Sequence, residues 1–139
     1  MTNRLMSKRE RPALGSPGHQ LSELRTRLTR LHKILLHDQR TAYEAAHGEV
    51  EASADLLRLL LTHEDFAWLR MLSEMIAAID EALDDEDGTL GEATLATFLD
   101  RSRALLRSDR SGPFETKYRD ALQRSPDVIM AHSAVVKLL

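Results

Sequence analysis

The chain has 139 residues, of which 42% are hydrophobic and 29% charged, with a formal net charge of −3. That size suits one domain able to bury about two thirds of its unfolded surface. The absence of cysteine excludes disulfides, thiolate metal sites and cysteine nucleophiles, and a 4% aromatic content argues against stacking platforms for bases or sugars.

In chain order, residues 1–18 read as a flexible basic arm, with Pro12, Gly15, Pro17 and Gly18 breaking any helix. Leu21, Leu24, Leu28, Leu31 and Leu35 then step by 3,4,3,4, which is the spacing of one face of a helix. Continued by Ala42 and Ala46, this stripe predicts a helix from about Gln20 to His47, ended by Gly48. At 1.5 Å per residue that helix is about 40 Å long. A short leucine-rich helix is expected at Ala54–Leu61, and Thr62 with Asp65 resembles a capping box opening the next helix.

Residues 66–83 carry two apolar stripes. Leu69, Leu72, Ile76, Ile79 and Leu83 form one, and Trp68, Met71, Met75, Ala78 and Ala82 the other. A helix apolar over most of its circumference is expected to be wrapped by other helices, so residues of about 65–85 are taken as the central element. Asp87-Gly88 is expected to end it, and Thr89 with Glu92 to open a helix whose inner face is Leu95, Phe98, Leu99, Ser102, Leu105 and Leu106. Gly112-Pro113 starts a short helix burying Phe114, Tyr118, Ala121 and Leu122. Ser125-Pro126-Asp127 opens the last, which carries Val128, Ala131, Val135 and Leu138 beside Ile129, His132, Val136 and Leu139. No strand-like alternation is present. The expected fold is all-α: a compact bundle of five or six helices around the central one, with residues 19–139 forming a single domain.

Charge is uneven along the chain. Residues 1–40 hold nine Lys/Arg against three Asp/Glu, whereas the remaining 99 hold ten against nineteen. The basic set includes Arg25, Arg27, Arg30 and Lys33, on a helix without helix-turn-helix spacing. Met1–Gly18 contains no apolar core of signal length, and unbroken apolar runs such as Leu59–Leu61, none longer than the five residues of Met75–Ile79, fall far short of a membrane span of about 20 residues. The expectation is a cytoplasmic protein with no membrane partner.

Several motifs invite a chemical reading. Glu44-Ala-Ala-His47 matches the Glu-x-x-His pattern of ferritin-like metal bundles, but such a site needs the pattern twice. A solvated helix end with a dipole-compatible histidine is the plainer account. The acidic run Asp84–Asp87 before Gly88 suggests a calcium loop, yet that register puts Leu83 and Thr94 at the first and twelfth ligand positions. No metal and no cofactor is expected. The polar side of the central helix, Arg70, Ser73, Glu74 and Asp80, stands out from an otherwise apolar element. On the first helix His32, Arg40, Tyr43 and Glu44 carry similarly directional groups. If these stripes face each other, His32, Arg40, Tyr43, Glu44, Arg70, Ser73 and Asp80 form a polar network or line a ligand pocket; if they face water, Arg70–Glu74 is a routine helical pair. His132, between apolar neighbours, reads as a hydrogen-bonded core histidine. No catalytic motif names a reaction class.

The segment Phe66-Ala67-Trp68-Leu69-Arg70-Met71-Leu72-Ser73, with Ile79-Asp80-Glu81, His32-Lys33-Ile34-Leu35-Leu36, Arg40, Tyr43-Glu44 and Gly48, resembles a family of small all-helical bacterial proteins without assigned function. The resemblance covers about residues 21–139 and implies a helical fold but no activity. Where the family pattern has proline between the arginine and the leucine, this chain has Met71. The function expected is a non-enzymatic interaction module, a homodimer or a binder of a protein partner, because its leucines exceed what a small bundle easily hides. The alternatives are a small-molecule or metal-dependent protein using the polar stripes, and nucleic-acid binding through the basic N-terminal region.

Overall fold

Seven helices and no strand are found in the computed structural model, among the residues it describes, 15–85, 90–107 and 112–139. They are α1 (Pro17–His47), α2 (Ser53–Thr62), α3 (Glu64–Ala67), α4 (Arg70–Leu83), α5 (Glu92–Leu106), α6 (Pro113–Arg124) and α7 (Pro126–Val136). No helix among the described residues is long and apolar enough to cross a membrane.

α1 begins at Pro17, three residues before the expected Gln20. Ser16 is its cap, with Oγ accepting from the His19 N–H at 3.1 Å, and Pro17 takes the first helical position. A proline there sacrifices no helical hydrogen bond, so Pro17 starts the helix that it was expected to prevent. Leu21, Leu24, Leu28, Leu31 and Leu35 are each 0% exposed. At about 1.5–3 kcal/mol per buried leucine side chain, this stripe is a major part of the core.

α1 also has the widest contacts in the bundle. It packs most extensively against α7 and α4, and further against α5 and α3. That role was expected of residues 65–85, which instead divide into α3 and α4. Trp68 and Leu69 keep right-handed helical dihedrals (φ/ψ −63°/−27° and −71°/−18°), but the Leu69 N–H bonds to Phe66 O, three residues back, at 3.1 Å. The tighter step accompanies burial of both neighbours, Trp68 and Leu69. Beyond it Leu72, Met75 and Ile79 are buried, whereas Met71 of the second stripe is 54% exposed. The split also explains why seven helices replace the expected five or six.

The helix starts and stops show what side chains can and cannot dictate. Thr62 does not cap the following segment: it ends α2, and the N-cap of α3 is His63, whose Nδ1 accepts from the Asp65 N–H at 3.0 Å. α4 ends at Leu83, before the acidic run rather than after it. Residues 86–89 of that run and of the Thr89 capping signal lie outside the described residues. α5 opens at Glu92 behind Gly91, so Glu92 is the first helical residue and not the third. α6 and α7 start where expected, behind Gly112-Pro113 and Ser125-Pro126, with Ser125 Oγ accepting from the Val128 N–H.

Three cross-links tie the outer helices to α1. Arg124 of α6 forms a forked pair with Asp38, with Nη2 at 2.6 Å and Nε at 3.1 Å from Oδ2. Arg27 donates to the Ala134 carbonyl of α7 at 2.7 Å, and Arg25 pairs with Asp80 of α4. Among the described residues, the buried polar side chains Gln39 and Ser102 are both hydrogen-bonded. Gln39 accepts from Trp68, and Ser102 donates to Phe98 O at 2.8 Å beside the Met75 sulfur.

Candidate functional site

The C-terminal end of α1 determines how the polar candidates are used. Gly48 closes the helix with φ +94°, a left-handed value that glycine adopts without strain, and its N–H bonds to Glu44 O. The chain then folds back onto the helix. Arg40 donates to the Val50 carbonyl at 2.5 Å, the Val50 N–H donates to Glu44 Oε2 at 2.6 Å, and Arg40 and Glu44 lie 3.6 Å apart. Both backbone groups of Val50, which is buried, are thus satisfied by two side chains one turn apart on α1. Arg40 and Glu44 are committed to this turn.

Tyr43, on the same end, belongs to a ring cluster. It stacks on His47 at 4.4 Å between centroids and meets His63 edge-on at 5.2 Å and Phe66 at 5.6 Å. His47 Nδ1 lies 3.2 Å from Tyr43 O, which requires the proton on Nδ1, whereas His63 Nδ1 accepts and so carries its proton on Nε2. Sequence spacing gave no sign that His47 and His63 converge, because they sit on either side of the leucine-rich α2. No group of three or more His, Asp or Glu residues suited to a metal ion is found among the described residues.

The remaining candidates spread along the α1–α4 contact, which runs antiparallel from the Gln39–Trp68 pair to the Arg25–Asp80 pair. Asp80 is held by Arg25. Ser73 Oγ donates to Arg70 O at 3.2 Å within its own helix. His32 Nε2 and Arg70 Nε are buried without a hydrogen-bond partner, and burial lowers the His32 pKa. The pocket expected to hold Arg70, Tyr43 and Glu44 together divides. Tyr43 and His47 border one depression with Glu49, Glu51, Asp55 and Arg58, and Arg40 and Glu44 border another with His37 and Glu49. Arg70 borders neither. About 22 Å of helix axis separates Arg25 from Arg40, too far for one small ligand to span.

His132 is hydrogen-bonded as its neighbours suggested, but it is partly exposed and lies at the edge of the core rather than within it. Tyr118 Oη lies 2.6 Å from His132 Nδ1. Burial pushes the Tyr118 pKa well above its ordinary value, so the phenol keeps its proton and donates it to Nδ1. Burial, and after it the charge of Arg107, lowers the His132 pKa, favouring the neutral ring that this bond requires.

Comparison with protein-family models, with curated proteins and with solved structures finds no match to this chain.

What distinguishes the surface is apolar exposure. α2 is half leucine and contains no buried residue. Leu56, Leu59 and Leu60 lean partly on the core, whereas Leu57 and Leu61 are 56% and 59% exposed. On α7, Ile129 and Met130 are 50% and 71% exposed, and Met130 borders a depression with Arg30 and Ile34 of α1.

Proposed function

We propose that this protein is a non-enzymatic helical module that works by association, with itself as a partner, through α2. The observation that carries the reading is that α2 devotes five of its ten residues to leucine, of which three are only partly buried and two, Leu57 and Leu61, are more than half exposed. Exposed leucines at positions 57 and 61 stand one turn apart on the outer side of the helix, an apolar ridge whose solvent exposure is unfavourable by about 0.8 kcal/mol per CH₂. The committed roles of Arg40, Glu44 and Asp80 in the fold support a binding function over a catalytic one.

Sedimentation velocity across a concentration series tests this. Wild-type protein should shift to larger species as concentration rises, and the Leu57→Glu/Leu61→Glu variant should remain monomeric. A wild-type chain that stays monomeric at high micromolar concentration overturns the reading.

A second reading, a small polar ligand held between α1 and α4, is favoured by the unpartnered His32 Nε2 and Arg70 Nε atoms. A buried polar atom without a partner costs about 1–3 kcal/mol, which a ligand atom would recover. Native mass spectrometry of protein purified without additives should then show a reproducible adduct that is lost in His32→Ala.

A further inference from the structure

The chain has five methionines and no cysteine. A thiolate would react first with a peroxide; without one, methionine sulfur is the side-chain atom most open to two-electron oxidation. Met1 and Met6 lie outside the described residues, and the other three stand in contrasting surroundings. Met75 on α4 is 2% exposed, and its sulfur lies 3.8 Å from the Ser102 hydroxyl. Met71, one turn earlier on the same helix, is 54% exposed, and Met130 on α7 is 71% exposed. Neither of these two belongs to the hydrophobic core cluster.

Each exposed thioether also shares a depression with an arginine. Met130 borders one with Arg30 of α1, and Met71 borders another with Arg101 of α5. Asp127 borders the first and Glu115 the second, yet neither arginine forms an ion pair among the described residues. Arg101 instead lies over the Phe98 ring, 5.4 Å from its centroid. Met75 reaches the Arg101 depression too, but with its side chain almost wholly covered. A sulfoxide oxygen is a much stronger acceptor than a thioether sulfur, and a guanidinium beside it has N–H groups to donate.

We propose that Met71 and Met130 are reversible oxidation sites: a hydroperoxide converts each to its sulfoxide, the new oxygen accepts from Arg101 or Arg30, and burial spares Met75. In this step the peroxide O–O bond breaks and one of its oxygens forms the S=O bond. Sulfur loses two electrons, and the peroxide is reduced to water or an alcohol. An apolar spot on the α4 and α7 surfaces thereby becomes polar and hydrogen-bonded, with no core side chain displaced.

Peroxide footprinting tests it. Dilute native protein is treated with hydrogen peroxide, quenched with catalase and digested, and the sulfoxide fraction at each methionine is read by mass spectrometry. Met71 and Met130 should oxidise at least about tenfold faster than Met75, because a core thioether reacts only when the fold opens locally. In concentrated urea the three should oxidise alike. Protein oxidised at Met71 and Met130 should keep its helical circular dichroism and its melting temperature. Methionine sulfoxide reductases for both epimers should return it to its starting mass. The arginine Nε–H resonances supply a readout that exposure alone would not move. Those of Arg30 and Arg101 should shift on oxidation, whereas that of Arg58, paired with Asp55 on α2, should not.

If Met75 oxidises as fast as the exposed pair in the native protein, or the pair as slowly as Met75, the assignment of sites is overturned. Arg30 and Arg101 resonances that stay in place overturn the part given to the arginines. Loss of the folded state on oxidation of Met71 and Met130 alone, or sulfoxides that the reductases cannot repair, overturns reversibility.

Discussion

The indole Nε1 of Trp68 donates to Oε1 of Gln39 at 3.2 Å, across 29 residues of sequence, with both side chains nearly excluded from solvent. This bond sits where α3 gives way to α4 and holds that step against α1. Gln39→Leu leaves the indole N–H buried without a partner, and it should lower stability by about 1–3 kcal/mol. Adding Trp68→Phe removes the orphaned donor but leaves a smaller ring. The double variant should therefore fall short of the sum of the two single losses in chemical denaturation.

The leucine stripe of α1 predicts a contrast in mutational cost. Leu28→Ala, at a site with 0% exposure, should cost about 2–5 kcal/mol because the surrounding helices only partly fill the cavity. Leu57→Ala, at a site more than half exposed, should change the stability of the monomer by less than about 0.5 kcal/mol. Equal losses at the two positions in urea titrations would show that α2 is more deeply packed than its exposure indicates.

The His132–Tyr118 pair predicts a pH dependence with a definite sign. The folded-state pKa of His132 lies below its unfolded value of 6.5, as does that of His32. The unfolded chain therefore binds more protons as pH drops, and the contribution of these rings, present above pH 6.5, is lost as pH falls through the folded values. Thermal stability should decline on acidification below about pH 6.5. His132→Gln should flatten part of that slope while lowering the plateau, because the Tyr118 hydroxyl loses its preferred acceptor.

The turn at Val50 predicts a local effect. Glu44→Ala removes the acceptor of the Val50 N–H and should cost about 1 kcal/mol. The readout that separates this from general destabilisation is hydrogen exchange, with the Val50 amide losing protection before the amides of Leu28 or Leu31. Zinc added to wild type should leave the melting temperature unchanged, because the Glu44–His47 motif has its carboxylate committed to this turn.

The elements whose cause is local are legible in the residue pattern. The 3,4,3,4 leucine spacing placed α1, and Gly48 ended it because a left-handed backbone there suits glycine. Gly112-Pro113 and Ser125-Pro126 opened α6 and α7 because proline at the first helical position and a hydroxyl before it act within four residues. Pro17 marks the limit of that local logic: its meaning depends on whether Ser16 caps it, and both outcomes are compatible with the letters.

Long-range pairing was not legible. Seven polar residues on two helices formed a set by periodicity, but periodicity gives the face of a helix and not which atoms reach across to it. The fold brings Arg40 and Glu44 to Val50, Asp80 to Arg25 and Tyr43 to His63, and so dissolves the single pocket that the stripes suggested. The helical class, the burial of the α1 stripe and the excess of leucine were legible from the residues alone, since composition and periodicity govern how much apolar surface each helix must hide. That α1, not residues 65–85, is the most widely contacted helix, and that the excess surfaces on α2 and α7, follows from packing alone. Burial is a property of neighbours, and neighbours are fixed by packing across tens of residues rather than by the spacing within one helix.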